Sequence, residues 1–398
     1  MSRTEPILPG DILCLILGLL TRKDAIALSM ISHATRTESL PFLFTSVTLR
    51  SERKLEETKT WEKDPLDLFS AIKSVSLYRY EGYDRETWIS ILEFLSKLPN
   101  LQCLKLHLAY RDNDQLERFL TSIEGAPLID LKSDTIESPI EPTYNTGSRG
   151  LQTLRIEWQR NRTCKRDDDD ILPDLSAFLL HFIVPAFRTL QEFTLSFGYS
   201  QHPKTLNLML LKGAIGLQKL SLKVDDLDPA DIEYLPHVVP NLQDLSLLLA
   251  GPPFKEPFIA FVAHFSKLTH LLIDMDLEAA ADDCLDQDHD LAWYNRCLHR
   301  RCLAVQQLAN ACPTLVRIDW KQQPIDEEWN DMLHEFVVED PKAQSAPSES
   351  RVVRAAWAWW MAKRYEDQHG GPLPPDLINL HPDRNIWDRW MVTNQPHQ

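Results

Sequence analysis

Glycine is scarce in this sequence, with 12 residues in a chain of 398. That is about 3%, where about 7% is usual in proteins. The sequence contains no glycine-spaced loop of the kind that cradles phosphates or dinucleotides, and it contains neither G-x-S-x-G nor H-E-x-x-H. We therefore expect no nucleotide-dependent chemistry, no catalytic residues, no cofactor and no enzymatic activity.

Disulfides, long apolar runs and positive charge are limited as well. The seven cysteines are an odd number spread over the chain, which does not suggest a secreted disulfide framework. The apolar run at residues 12–20 is flanked by Glu5 and Asp11, and no run reaches the roughly 18 residues of a membrane helix. With 42 basic and 58 acidic side chains, the net charge is -16. We expect a cytoplasmic or nuclear protein with no nucleic-acid and no membrane partner.

Residue types that bind metals occur in clusters, but without metal-site spacing. Aspartates alternate from residue 286 to residue 290 as in an EF-hand loop, yet the sixth position is Leu291 instead of glycine. The cysteines and the histidine between residues 297 and 312 fit no structural zinc pattern. Four aspartates at 167–170 are typical of a solvated loop. The sequence predicts no metal site.

One short phrase recurs along the chain: an apolar residue, two others, an apolar residue, one other and an apolar residue. Its last part has the period of two that is typical of a strand with one buried face. The clear copies are Phe44/Val47/Leu49, Ile72/Val75/Leu77, Leu101/Leu104/Leu106, Leu151/Leu154/Ile156, Leu190/Phe193/Leu195, Leu217/Leu220/Leu222, Leu242/Leu245/Leu247, Leu268/Leu271/Ile273 and Leu315/Ile318/Trp320, with a degraded copy at Leu128/Leu131. Most copies are 20 to 29 residues apart, which indicates a repeat protein.

Amphipathic helical stretches separate the strands. They lie at residues 85–95, 115–123, 175–183, 206–211 and 257–265. A unit of one strand and one helix cannot bury both of its apolar faces alone, so neighbouring units must stack. The pattern resembles the leucine-rich repeat family, which implies a horseshoe-shaped solenoid with concave strands and convex helices. The Asn or Cys usual after the strand phrase is mostly absent, which leaves the repeat length open.

The first forty residues carry more apolar surface than so short a segment can bury by itself. A helix that begins near Pro9 and Asp11 is apolar on all sides. Thr21 and Asp24 predict the start of a second helix, and a third short element ends at residues 40–44. One side of the first helix must contact its own neighbours, and the other side must contact the repeats or another protein.

These residues resemble the F-box. The matching positions are Leu8, Pro9, Asp11, Ile12, Ile16, Leu17, Leu20, Lys23, Asp24, Leu28, Ser32, His33 and residues 40–44. The tryptophan usual near the end of the second helix is missing. An F-box followed by leucine-rich repeats is similar to the substrate receptors of cullin-RING ubiquitin ligases, whose F-box binds the Skp adaptor and, through it, a cullin. The resemblance implies adaptor-binding positions at Leu8, Pro9, Ile12, Ile16, Leu17 and Leu20.

An unidentified target protein is then expected on the concave face. This expectation depends on alternation, because successive side chains along a strand point to opposite faces of the sheet and only one face is buried. The exposed positions are mixed in charge, which favours a folded protein or peptide over a polyanion. The predicted target-binding residues are Lys105, His107, Arg155, Glu157, Lys219, Lys223, Asp244, His270, Asp274, Arg317, Asp319 and Lys321.

Tryptophan is concentrated near the C-terminus, where six of the eleven lie after residue 328. A stretch rich in Pro, Ser and Ala at residues 341–350 predicts a linker, and residues 351–366 predict a helix that ends before Gly370 and Gly371. We expect this aromatic surface to pack against the last repeat and to cap the solenoid. Binding of the target by the same surface is the alternative.

The sequence thus predicts an α/β protein of three parts: an F-box of three helices at 1–45, a leucine-rich-repeat solenoid at 46–325 and a helical tryptophan-rich segment at 326–398. We expect an adaptor in ubiquitin-dependent protein degradation that performs no covalent chemistry. The alternative is a ligase-independent repeat scaffold for protein–protein interaction, in which the N-terminal helices only cap the solenoid.

Overall fold

The computed structural model describes residues 10–61, 68–78, 85–110, 150–160, 171–172, 179, 182–184, 186–197, 202–203, 207–224, 232–249, 254–275, 291–322, 332–339, 352–356, 366, 370–371 and 379–380. The fold is α/β, and its main sheet is mostly parallel. The chain divides into two compact units, Met1–Gly216 and Leu217–Gln398, called unit 1 and unit 2 below.

In unit 1, the repeated phrase forms neighbouring strands of one parallel sheet. The strands of unit 1 are β1 Ser46–Leu49, β2 Ser74–Tyr78, β3 Cys103–Tyr110, β4 Thr153–Arg160, the short β5 Ile171–Leu172, β6 Glu192–Phe197 and the short β7 His202–Pro203. Strands β1 to β4 and β6 pair in this order, while β5 and β7 pair separately. Equivalent residues of the phrase are register partners, as in the buried row Val47, Val75, Leu104, Leu154 and Phe193. The strand prediction is confirmed for these five copies, and the degraded copy at Leu128 and Leu131 lies outside the described residues.

The helices of unit 1 precede its first strand, lie between its strands or follow the last of them. They are α1 Gly10–Leu19, α2 Arg22–Ser29, α3 His33–Leu43, α4 Glu52–Trp61, α5 Leu68–Ala71, α6 Arg85–Ser96 and a 3₁₀ helix Leu208–Gly213. Helix α6 confirms the prediction for 85–95, and it places Trp88 in the core, edge-on to Phe182 at 6.2 Å. The stretch at 115–123 lies outside the described residues, as does most of 175–183. The stretch predicted at 206–211 overlaps the 3₁₀ helix Leu208–Gly213.

Unit 2 repeats the arrangement. Its parallel strands are β8 Lys219–Lys223, β9 Asp244–Leu248, β10 His270–Ile273 and β11 Arg317–Gln322. Their buried rows again align the phrase, with Leu220, Leu245, Leu271 and Ile318 in one register. The helices are α7 Leu235–Val238, α8 Glu256–Ala263 and α9 Leu291–Ala311. Helix α8 confirms the helix predicted at 257–265, and the last four copies of the phrase are confirmed as strands.

The C-terminal part of unit 2 differs from the helical segment that the sequence predicted. Three further strands, β12 Met332–Glu339, β13 Val352–Ala356 and β14 Asn379–Leu380, add to β11 in antiparallel order. The predicted helix at 351–366 is therefore wrong over 352–356. The reason is pairing: Val353 is fully buried opposite Val338, a position that a β-branched residue fills well. The C-terminal tryptophans and the predicted linker lie outside the described residues.

Helix α9 covers this part of unit 2, since it contacts both β12 and β13. Cys302 on α9 and Cys312 just after it are fully buried. Burial raises the pKa of the Cys302 thiol to about 12, because an apolar environment disfavours the thiolate. Both thiols therefore act as core side chains.

Candidate protein-interaction surfaces

The N-terminal module, helices α1 to α3, is built by local capping. The hydroxyl of Thr21 accepts a hydrogen bond from the amide of Asp24 and donates one to its carboxylate, which starts α2 as predicted. Ser32 and Thr35 form a reciprocal capping box at the start of α3. Such caps satisfy amides that have no partner inside the helix, so they fix where α2 and α3 begin.

The module has a small core of its own. Leu13 and Leu17 of α1 and Ala25 of α2 are buried together. Leu20, Leu28 and Leu43 are partly buried against them. One side of α1 is therefore covered by its own neighbours, as the sequence predicted.

The other side of α1 is apolar and exposed. Leu15 is 68% exposed and Leu19 is 88% exposed, with Ile16 beside them. Four more large apolar side chains of the module are exposed: Ile26, Met30, Ile31 and Phe42. We call these seven residues the exposed apolar set. They are half of the 14 exposed large apolar residues in the described part of the chain, although the module spans little more than thirty residues. This concentration makes the module a candidate interaction surface.

The six predicted adaptor-binding residues have different environments. Leu8 and Pro9 precede the described residues, and the side chain of Ile12 lies outside them as well. Ile16 belongs to the exposed apolar set, whereas Leu17 lies in the module core and Leu20 packs against that core. Leu15 and Leu19 were missed, because an all-apolar helix gives no polar face from which to decide which side is buried.

The second surface is formed by the strand side chains that alternate with the buried ones. We call this side of the strands the open face. In unit 1, one of its rows consists of Thr48, Ser76, Lys105, Arg155 and Thr194, and the next row along the strands consists of Tyr78, His107, Glu157 and Ser196, with Arg50 over the Tyr78 ring. Most of these side chains are half-buried or exposed, and every neighbour along β3, β4 and β6 is buried. The four target-binding residues that the sequence predicted in unit 1 are therefore brought together on one surface.

Rings and charges pair across the strands of this open face. The rings of Tyr78 and His107 stack in parallel at 4.0 Å, and the guanidinium of Arg50 lies 5.5 Å from the centre of the Tyr78 ring. His107 Nδ1 is 2.9 Å from Glu157 Oε2. Arg155 donates from Nη2 to Glu192 Oε1 at 2.7 Å. Tyr78 and Glu192 were not among the predicted residues, although both alternate with buried residues along their strands.

In unit 2, the open face carries a continuous line of alternating charges. Lys219 Nζ lies 4.0 Å from Asp244, whose Oδ1 is 3.2 Å from His270 Nδ1. His270 Nε2 is 2.9 Å from Asp319, and the guanidinium of Arg317 contacts both Asp319 and Glu335. We call these six residues the charge ladder: Lys219, Asp244, His270, Asp319, Arg317 and Glu335. Each cation lies beside an anion, so the ladder neutralises itself.

The central imidazole is held as a cation. Hydrogen bonds to Asp244 and then Asp319 raise the pKa of His270 to about 9, against burial, which lowers it. Burial alone raises the pKa of Asp319, but the bonds from His270 and Arg317 outweigh it and lower that pKa. Since both ring nitrogens of His270 donate to carboxylates, neither accepts a proton from a substrate. The arrangement supports cohesion of the sheet and not acid–base catalysis.

The remaining predicted target-binding residues lie at the ends of the strands. Lys223 and Lys321 are near the carboxyl ends of β8 and β11. Asp274 follows β10 and is buried, and its carboxylate accepts a hydrogen bond from the amide of Leu249 at 2.7 Å. Asp274 and Asp319 are thus sheet-stabilising residues, with little side-chain surface left for a partner.

Substitution of His270 by Gln is expected to lower the free energy of unfolding by about 2 kcal/mol near pH 6, because two bonds to charged groups are lost. The pKa of His270 is about 9 in the folded chain and about 6.5 when unfolded. Its contribution is therefore fully present below the lower value and lost as the pH rises through the higher one. Urea unfolding of both proteins at about pH 6 and about pH 9.5 checks this. A difference that does not shrink at the higher pH contradicts the ladder.

Comparison with known proteins adds no relative: no protein-family model matches the sequence, and no curated protein matches it significantly. Among the helices that the structure describes, none combines the length and apolar character needed to cross a membrane. The described side chains also contain no group of three or more His, Cys, Asp or Glu arranged to hold a metal ion.

Proposed function

We propose that this chain is a substrate-recognition adaptor of a cullin-RING ubiquitin ligase. In this proposal the N-terminal module is an F-box that binds the Skp adaptor, and the open faces of the strands bind a target protein. The observation that carries the proposal is the exposed apolar set on a module that already has its own core. The chain itself performs no covalent chemistry, and it works in the cytoplasm or the nucleus.

The energetics of the exposed apolar set favour a partner. Leu15 and Leu19 leave most of their side chains in water. Burying one leucine side chain contributes about 1.5 to 3 kcal/mol, so an interface that covers several members gains a substantial free energy of binding. A small helical module that presents Leu, Ile, Met and Phe together has the composition of an interface core and not of an ordinary surface.

The repeats support the second half of the proposal. Parallel strands with aligned phrases and intervening helices are what a leucine-rich-repeat solenoid requires, and such solenoids bind proteins on their strand side. The horseshoe curvature, with the strands concave, and the capping role of the C-terminal segment belong to this proposal. A ligase-independent repeat scaffold would use the same open faces without binding an adaptor.

Binding of a purified Skp adaptor to the full-length chain separates the two functions. We expect the variant L15D/L19D to lose about 100-fold in affinity, because each substitution places an unpaired charge in an apolar contact. The control is M209D, which puts the same charge on an exposed apolar residue of the 3₁₀ helix in unit 1. It should bind like the natural chain.

Isothermal titration calorimetry measures the affinities, and circular dichroism establishes that each variant is folded. If a folded L15D/L19D chain binds the adaptor as tightly as M209D does, the exposed apolar set is not the adaptor site. If the natural chain does not bind the adaptor at all, the scaffold function replaces the adaptor function.

A further inference from the structure

Two positive charges lie next to each other on the open face of unit 1. Lys105 on β3 and Arg155 on β4 are register partners in the parallel sheet. Neighbouring strands are about 4.8 Å apart, so the two side chains leave the sheet side by side. Like charges directly opposite each other destabilise a sheet unless an anion lies close to both.

The described residues compensate this pair incompletely. Arg155 contacts Glu192 through Nη2, while its Nε is buried without a hydrogen-bond acceptor among the described residues. Lys105 has no ion pair within that part of the chain. Its other neighbour in the row is Ser76, and the far neighbour of Arg155 is Thr194. The pair is thus flanked by two hydroxyl groups, which can donate hydrogen bonds to an anion.

In unit 2, two cations are also register partners, His270 and Arg317, but Asp319 lies against both of them. There the register partners Lys219, Asp244 and His270 alternate in sign, and each cation has an anion within 4.0 Å. A charge ladder of that kind leaves no uncompensated cation for a charged ligand. In the described part of unit 1, by contrast, Glu192 pairs with Arg155 but not with Lys105, and the two adjacent cations have hydroxyl groups on both sides.

We propose that Lys105 and Arg155 bind an oxyanion carried by the target, either a carboxylate or a phosphoryl group. An arginine presents a planar fork of donors to such a group, and a lysine adds a mobile point charge. The stacked rings of Tyr78 and His107 lie in the next row, two residues after Ser76 and Lys105 on the same strands. The inference rests on the proposed target-binding role of the open face, and it names the chemistry that the face recognises.

Titration of the full-length chain with inorganic phosphate, and separately with glutarate, tests the site. Ionic strength is held constant with chloride, so that general screening does not change along the titration. We expect saturable binding that weakens about tenfold in K105A, the loss of one charge-assisted contact, and about as much in R155A. The matched control K59A removes an exposed lysine of α4 that pairs with Glu56 at 2.7 Å, away from the open face, and it should leave the affinity unchanged.

The melting temperature of the anion-free chain gives a second measure. Because Lys105 lies beside Arg155, K105A should melt at the same temperature as the natural chain or higher, and phosphate should raise the melting temperature of the natural chain alone. Tenfold tighter binding of phosphate than of glutarate assigns the site to phosphoryl groups, and comparable binding assigns it to carboxylates.

The proposal is overturned if neither anion binds saturably, if K105A and K59A weaken binding equally, or if K105A clearly lowers the anion-free melting temperature. No Skp adaptor takes part in this test. Its failure therefore leaves the adaptor proposal standing, and a failure of adaptor binding leaves the oxyanion site standing.

Discussion

Substitution of Leu17 by Asp is expected to unfold the N-terminal module. Leu17 is 3% exposed and packs with Leu13 and Ala25 in the centre of the module. A buried, unpaired carboxylate costs more than about 4 kcal/mol, and a segment of forty residues has little stability to lose. Hydrogen exchange measured by mass spectrometry should show amides of residues 10–43 that are protected in the natural chain and exchange rapidly in L17D.

The matched variant is L15D, two residues earlier on the same helix. Leu15 is mostly exposed, so its substitution should leave the protection of residues 10–43 nearly unchanged. Together the two variants separate loss of folding from loss of binding at α1. Persistent protection in L17D, or equal loss in both variants, would mean that the two sides of α1 are not distinguished as the structure has them.

Substitution of Trp320 by Ala is expected to lower the free energy of unfolding of the full chain by about 4 kcal/mol, in the range found for large aromatic residues in cores. Trp320 is fully buried on β11, and its indole nitrogen donates to the carbonyl of Met275 at 2.8 Å. Its ring packs 5.5 Å from Phe254, and the guanidinium of Arg301 lies 5.8 Å above it. The alanine variant loses all three contacts and leaves a cavity.

Urea unfolding followed by circular dichroism measures this loss. Two further variants define its origin. W320F retains much of the volume but leaves the Met275 carbonyl without its donor, so it should lose about half as much. V316A lies four residues earlier at an exposed position and should change stability by less than about 0.5 kcal/mol. A loss below about 1.5 kcal/mol in W320A would contradict the central position of this indole.

The strands could be predicted from the sequence because their signal is local and repeated. Each phrase places two apolar residues two positions apart, and the same phrase positions become register partners, such as Leu77, Leu106 and Ile156. Burial is therefore encoded in every copy independently. The helix starts at Thr21 and at Arg85 were predictable for the same reason, since capping and amphipathic spacing are local properties.

The C-terminal strands were missed because their signal depends on a partner. Residues 352–356 contain alanines and an arginine that favour a helix, and the pairing with β12 overrides that preference. Strand β12 itself had a readable alternation, since His334, Phe336 and Val338 are buried while Glu335 and Val337 are exposed. The neighbouring tryptophans favoured the prediction of a helix with aromatic residues on one face.

The candidate surfaces were predictable only as sets of residues. Alternation selected His270, Asp319 and Arg317, but their order in the charge ladder depends on which strands are neighbours, and that is decided by the register. The same limit applies to Lys105 and Arg155, which are fifty residues apart in sequence and adjacent in the sheet. Composition indicates that charges are present, and topology decides which of them meet.

The antiparallel strands after β11 occupy the edge on which a further parallel strand would pair. A parallel strand with a free edge is a template on which a further repeat, or a strand of a second copy, could pair. In unit 2 that edge is occupied by β12, which runs in the opposite direction and is followed by β13 and the two-residue β14. A strand of two residues offers an incoming chain very few hydrogen-bonding groups. The reversal of direction thus ends the run of parallel strands at β11.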